Sequence, residues 1–149
     1  MKNKTKEIMG DVLKLIEVIS NGKRKVLDFG NDMVFYRGEI HMIKVIGDNP
    51  GIYISEMARY FNITRAVVSK TIIKLERNGF VHKQEDQYDK KRVCLYLTED
   101  GKKAYEAHNE FHLVNDTPIY EFLNGLEDEK LDVIKKFMER ANEMVNNHF

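Results

Sequence analysis

Cysteine is nearly absent from this sequence. Cys94 stands alone among 149 residues, so no disulfide can form within the chain, which is compatible with a reducing compartment. Long hydrophobic runs are missing as well. Nothing approaches the roughly 18 apolar residues of a membrane helix, and the basic start Met1-Lys2-Asn3-Lys4-Thr5-Lys6-Glu7 is not followed by the apolar stretch of a signal peptide. The expectation is a cytoplasmic protein with no membrane partner. The motifs of common catalytic chemistry are also lacking: there is no nucleophile elbow, Gly-rich phosphate loop, HExxH or paired-cysteine site. No enzymatic activity is expected. Nor does either charge predominate, with 24 basic and 24 acidic residues and a formal net charge of zero. Bulk composition alone gives no support for a polyanionic partner.

The distribution of charge does give such support. Residues 62–92 carry eight basic side chains against four acidic, and residues 99–149 carry six basic against twelve acidic. The middle of the chain suits a polyanion and its C-terminal third does not. With 42% hydrophobic and 32% charged residues, the chain reads as one soluble globular domain without low-complexity tracts.

Periodicity supplies the order of elements. Ile8, Val12, Leu15, Ile16 and Ile19 follow the spacing of an amphipathic helix that Asn21-Gly22 interrupts, and Val26, Leu27 and Phe29 continue an apolar face. A helix over 38–46 carries Ile40, Ile43 and Ile46 on one side and stops at Asp48-Asn49-Pro50-Gly51. Ile52-Tyr53-Ile54 allows a short strand. Ser55 is the expected N-cap of a two-turn helix ending near Phe61, and Thr64 the N-cap of the next, whose inward residues are Val68, Ile72 and Leu75. Asn78-Gly79 closes that helix. Two short helices joined by a tight turn make a helix-turn-helix. The alternation in 80–84 and 93–97, around the polar tip 85–92, predicts a β-hairpin. A helix from Thr98 should break or kink at Asn115-Asp116-Thr117-Pro118, and a last helix carries Leu131, Ile134, Met138, Ala141 and Val145. The fold class is mainly α (α+β), a winged helix-turn-helix with flanking N- and C-terminal helices. Their wide apolar stripes need a cover, and a second copy of the chain is the economical one.

A nucleic-acid surface can be placed on this outline. Opposite Val68, Ile72 and Leu75 the second helix of the motif carries Ala66, Lys70, Ile73, Lys74 and Arg77, with Arg65 and Ser69 flanking its first half. Small residues let the backbone approach a major groove, and long cations reach base edges or phosphates. Thr64 can both cap the helix and meet a phosphate. Arg77 reads better as a solvated position. The hairpin tip Asp89-Lys90-Lys91-Arg92 offers three consecutive cations to an adjacent minor groove, with Asp89 holding one of them or tightening the turn.

The run from Ile54 through Lys70, then Leu75-Glu76-Arg77-Asn78-Gly79-Phe80-Val81, Asp89-Lys90-Lys91-Arg92 and Leu97-Thr98-Glu99-Asp100-Gly101-Lys102, resembles the multiple-antibiotic-resistance regulator (MarR) family. The resemblance implies a homodimeric transcription repressor of a pseudopalindromic double-stranded DNA operator. It implies one domain over 1–149, with dimerisation helices in 1–34 and 102–149 and a DNA-binding module in 35–101. The family wing reads Asp-x-Arg, whereas this chain has Lys91 at that arginine position and Arg92 one residue later. Either cation is a candidate for the minor groove.

A small-molecule effector is typical of the family, and Phe35, Tyr36, Tyr105 and Phe111 either line its pocket or pack the core. His108 and His112 stand four apart on one helix, a spacing that can chelate a metal, and His41 lies on the helix before the motif. Zinc-uptake repressors of the family use histidines at comparable positions. The carboxylate that completes their site is missing here, its place falling near Lys23. No cofactor is expected on the main reading, and zinc belongs to the alternative of a zinc-responsive regulator. A winged-helix protein-interaction module is the alternative of another class. Cys94 reads as an ordinary neutral thiol on a wing strand.

Overall fold

The computed structural model describes residues 1–22 and 25–148. In chain order the elements are α1 (Asn3–Gly22), β1 (Val26–Asp28), β2 (Val34–Tyr36), α2 (Arg37–Asp48), β3 (Ile52–Tyr53), α3 (Ile54–Phe61), α4 (Arg65–Arg77), β4 (Val81–Glu85), β5 (Val93–Leu97), α5 (Glu99–Asn124) and α6 (Asp128–His148). They group into two compact units, residues 24–111 and residues 1–23 with 112–149. Among the described residues, no helix is long and apolar enough to cross a membrane.

The unit of residues 24–111 is the winged helix-turn-helix. Its core is closed by Ile40, Ile43 and Ile46 of α2, Met57 of α3, Val68, Ile72 and Leu75 of α4, and Leu95 of β5, all fully buried. The 3–4 spacing in α2 and α4 produces this directly: one stripe of each helix faces inward and the other stays wet. The sheet runs β3-β5-β4, antiparallel throughout, with Tyr53 opposite Cys94 and Val81 opposite Leu97. Asn62, in the left-handed region at φ +52°, ends α3. Thr64 caps α4 as expected, its hydroxyl accepting the Val67 N–H at 3.2 Å.

Three local expectations are corrected. Residues 26–36 form a hairpin and do not extend α1: β1 pairs with β2 with Leu27 opposite Phe35. Asp28 accepts the Gly30 N–H at 2.8 Å, and Gly30, Asn31 and Asp32 all take positive φ. An Asx turn with three left-handed residues cannot be helical, and alternation puts Phe35 in the core while Val26, Val34 and Tyr36 stay half-exposed. The second correction concerns Ser55. α3 already begins at Ile54, with Tyr53 in the cap position and its N–H taken by the Glu56 carboxylate at 3.2 Å. Glu39 does the same for Tyr36 at the start of α2, at 2.9 Å. In both helices an acidic third residue reaches back to an orphan donor, as in half of a capping box. Third, α5 runs unbroken through Pro118. Proline costs one backbone donor there, while the Thr117 hydroxyl adds a bond to the Leu113 carbonyl.

The Leu-Thr-x-x-Gly run has a specific job in joining α5 to the wing. The Thr98 hydroxyl donates to the Gly79 carbonyl at 2.5 Å and accepts the Gly101 N–H at 3.0 Å. A Cβ on Gly101 would lie 2.0 Å from the Phe80 carbonyl oxygen, a backbone atom that cannot rotate away. Gly101→Ala is therefore expected to lower stability by about 1–3 kcal/mol, in the range of overpacked cores. Thermal unfolding reads this directly, and an unchanged midpoint contradicts the contact.

Among the described residues, the unit of 1–23 and 112–149 has no such core. None of the described residues of α1 or α6 is buried. Ile8, Leu15 and Ile19 of α1, Leu113, Ile119 and Phe122 of α5, and Val133 and Met138 of α6 are all exposed. Amphipathic helices whose apolar sides stay wet are incomplete by themselves.

Candidate nucleic-acid interface

The residues singled out around α4 and the wing fall on one face of the 24–111 unit. An open cleft of about 650 Å³ lies between the start of α3, the start of α4 and the wing. Its walls bring together Ser55, Arg59, Arg65, Ser69, Lys91 and Arg92. Four cations and two hydroxyl groups, set against the carboxylates of Glu56 and Asp89, make a surface for phosphate oxygens, and the exposed start of α4 adds its backbone donors. Arg59 was not selected from the sequence. Its signal was available, since a cation in the last turn of α3 points to the side from which α4 begins.

The exposed face of α4 has its own relief. A second open cleft of about 680 Å³ runs along it, lined by Tyr36, Ala66, Ser69, Lys70, Lys74 and Arg77 among others. Ala66, Lys70 and Ile73 are exposed, so the helix presents a low surface between long cations. Lys74 is exposed and paired within the chain. Its ammonium sits 3.1 Å from the Glu39 carboxylate, which is 8% exposed, and 5.0 Å from the Tyr36 ring centre. The pairing with Glu39 offsets part of the charge that Lys74 offers to DNA. The Glu39 partner lies 35 positions away and could not be read from the sequence.

At the wing, Asp89 does both things expected of it. Its carboxylate accepts the Lys91 N–H at 3.0 Å and pairs with the Arg92 guanidinium at 3.6 Å. Asp86 was not singled out from the sequence, yet it organises the tip: it accepts the Tyr53 hydroxyl at 2.5 Å and the Tyr88 N–H at 2.8 Å. Those bonds, the tyrosine's first, hold its carboxyl below the ordinary aspartate range, while Tyr53 is pushed up by the same contact. Asp86 stays ionised through neutral pH, and the network loosens only as the pH falls through that lowered value. Burial pushes the Cys94 thiol up, consistent with a neutral thiol.

The four aromatics named for an effector do not converge on one cavity. Phe35 is buried against Phe29 and Phe80, Phe111 meets Phe29 edge-on, Tyr105 donates to Asp48 at 2.6 Å, and Tyr36 lies under Lys74. Of the histidines, half-buried His41 and nearly inaccessible His108 face each other with ring centres 5.7 Å apart. His112 follows one turn along α5, its Nδ1 2.8 Å from Asp116. Lys23, the place of the missing carboxylate, lies outside the described residues.

Comparison with known proteins agrees with this fold. Residues 35–93 match the model of the MarR family. The chain is 30% identical over 114 residues to the uncharacterized HTH-type transcriptional regulator YhjH of Bacillus subtilis, covering 76% of this chain and 65% of that one. Two further Bacillus subtilis regulators, PchR and YybA, match over 60% and 65% of their lengths, so the chain spans a little under two thirds of these curated relatives. Among solved structures, the zinc-responsive MarR family member ZitR of Lactococcus lactis superposes with a TM-score of 0.71 at 19% identity, covering 96% and 97% of the two chains. ZitR in complex with DNA gives a TM-score of 0.76 at 20% identity, covering 97% and 99%.

Proposed function

We propose that the chain, whose residues 35–93 match the MarR family model, is a cytoplasmic MarR-type transcription regulator without enzymatic activity, which binds double-stranded DNA as a homodimer and represses by occupying a pseudopalindromic operator. The observation that carries this reading is the cationic cleft between Arg65 at the start of α4 and Lys91 on the wing. A dimer places two α4 helices about 34–36 Å apart, in successive major grooves on one side of the duplex. The wet apolar stripes of α1, α5 and α6 support the dimer, since a second copy is the cover that the chain itself supplies. Similarity to ZitR of Lactococcus lactis in complex with DNA supports the partner.

Release by a small-molecule effector is part of the proposal. The cleft along α4 supports it, because a molecule seated beside Tyr36 and Ile73 competes with DNA for that helix. Fluorescence anisotropy with duplexes from the region upstream of its own gene tests the whole reading. Binding should weaken steeply with salt, as counterion release requires. A folded dimer that ignores every duplex would point instead to a winged-helix protein-interaction module.

A second reading is favoured by the contact between the His41 and His108 rings. Two imidazoles in contact, with His112 at chelating spacing from His108 and its own Nδ1 held by Asp116, are a donor set that suits zinc. Bound there, zinc would cross-link α2 to α5 and bias DNA affinity. Titration with zinc alone and with chelator, read by anisotropy on the same duplex, separates the two readings. Indifference to both discards the metal.

A further inference from the structure

The cations at the end of the wing are held in different ways. Arg92 is exposed yet has several partners. Its guanidinium carbon lies 4.9 Å from the centre of the Tyr53 ring, and its Nε is 3.6 Å from the Asp89 carboxylate. Its main chain closes the hairpin, the carbonyl accepting the Asp86 N–H at 3.0 Å and the N–H donating to the Asp89 carbonyl at 2.9 Å. Tyr53 in turn donates its hydroxyl to Asp86 at 2.5 Å. Tyr53 is also the cap residue of α3. Arg92, Tyr53, Asp86 and Asp89 thus form a closed ring of contacts between the base of the wing and the first turn of the helix-turn-helix.

Lys91 stands one residue closer to the tip. Its side chain lines the cleft that Arg65, Ser69 and Arg92 also line, and what separates the two wing cations is that Arg92 is held by Tyr53 and Asp89. Of the two carboxylates on that wall, Glu56 is engaged with the Tyr53 N–H, and Asp89 with Arg92 and the Lys91 main chain.

We propose that Lys91 is the wing cation that DNA takes up, and that Arg92 is a positioning residue, which braces the wing against Tyr53 and does not itself enter the groove. The proposal deepens the DNA-binding reading and rests on it. A guanidinium stacks on an aromatic face better than an ammonium does, which suits arginine to the brace. An ammonium on a flexible stem is a mobile point charge, which can follow a phosphate oxygen without a fixed geometry. A cation already facing Asp89 and Asp86 displaces few counterions from the duplex, whereas one that leaves water for phosphate displaces about one. The hydroxyl of Tyr53 acts first, and the Asp89 and Asp86 charges after it, to hold the Arg92 group above its ordinary range, so Arg92 stays charged under all working conditions.

The test compares salt dependence. Lys91→Ala should weaken duplex binding about tenfold and reduce the log–log salt slope by roughly 0.9. Arg92→Ala should weaken binding about as much and leave the slope unchanged, and Arg92→Lys, which keeps the charge and loses the planar stack, should fail to restore it. Tyr53→Leu should reproduce the Arg92→Ala loss, with no further loss in the double variant. In the free protein, hydrogen exchange at the Asp86 and Arg92 amides should quicken in both single variants. The proposal is overturned if Arg92→Ala lowers the slope and Lys91→Ala does not. It is also overturned if the Arg92 and Tyr53 losses add, or if Arg92→Lys restores affinity. If the unaltered protein binds no duplex at all, the DNA-binding reading fails and the role of Lys91 with it, while the exchange data report the brace separately.

Discussion

A Leu15→Glu/Ile19→Glu variant is expected to be a folded monomer that has lost duplex binding by at least about 100-fold, the lower end of what linking two sites contributes. Both side chains stand on the exposed apolar stripe of α1, 58% and 49% accessible. Each contributes about 1.5–3 kcal/mol when buried, and a carboxylate forced into that contact costs more than the leucine or isoleucine supplied. The core of the 24–111 unit contains neither residue, so the far-ultraviolet spectrum should persist. Light scattering reads the assembly and anisotropy the binding. If the variant stays dimeric, α1 is not the interface; if it is monomeric and still binds fully, the two-fold assembly is irrelevant to recognition.

Arg65→Ala is expected to cost about 10- to 100-fold in affinity for the preferred duplex, or roughly 1–3 kcal/mol, as for a well-placed base or phosphate contact. Arg65 is the first residue of α4, is exposed, and lines the cleft with Arg59 and Lys91. The salt slope should fall by roughly 0.9 as one cation leaves the interface. Lys74→Ala, by contrast, should change affinity less, because its ammonium is already paired with Glu39. An equal loss from both would mean that Lys74 leaves Glu39 for the duplex.

Periodic elements were legible in the sequence, and long-range pairings were not. Val68, Ile72 and Leu75 lie on one stripe of α4 at spacings that only a helix buries together, and all three are fully buried. Thr64 and Gly79 mark its ends through chemistry that acts within four residues. The 26–36 segment misled because three apolar residues in four fit a helix face as readily as a short strand, and the turn at Asn31-Asp32 decided between them. Pro118 misled for a related reason: one lost donor in the last third of a 26-residue helix is tolerable when the rest of the ladder persists. At the site, the cationic residues were visible as a charge run. The Lys74–Glu39 pair and the Tyr53–Asp86 bond, 35 and 33 positions apart, were not, because nothing local reports a contact that only the folded chain creates.

Selection of duplexes from a random pool, followed by hydroxyl-radical footprinting of those retained, tests the central claim most directly. The account predicts enrichment of an inverted repeat, with protection of two half-sites one helical turn apart and flanking minor-groove protection where the wings reach. A folded dimer that enriches no sequence, or that protects a single unrepeated site, would contradict it.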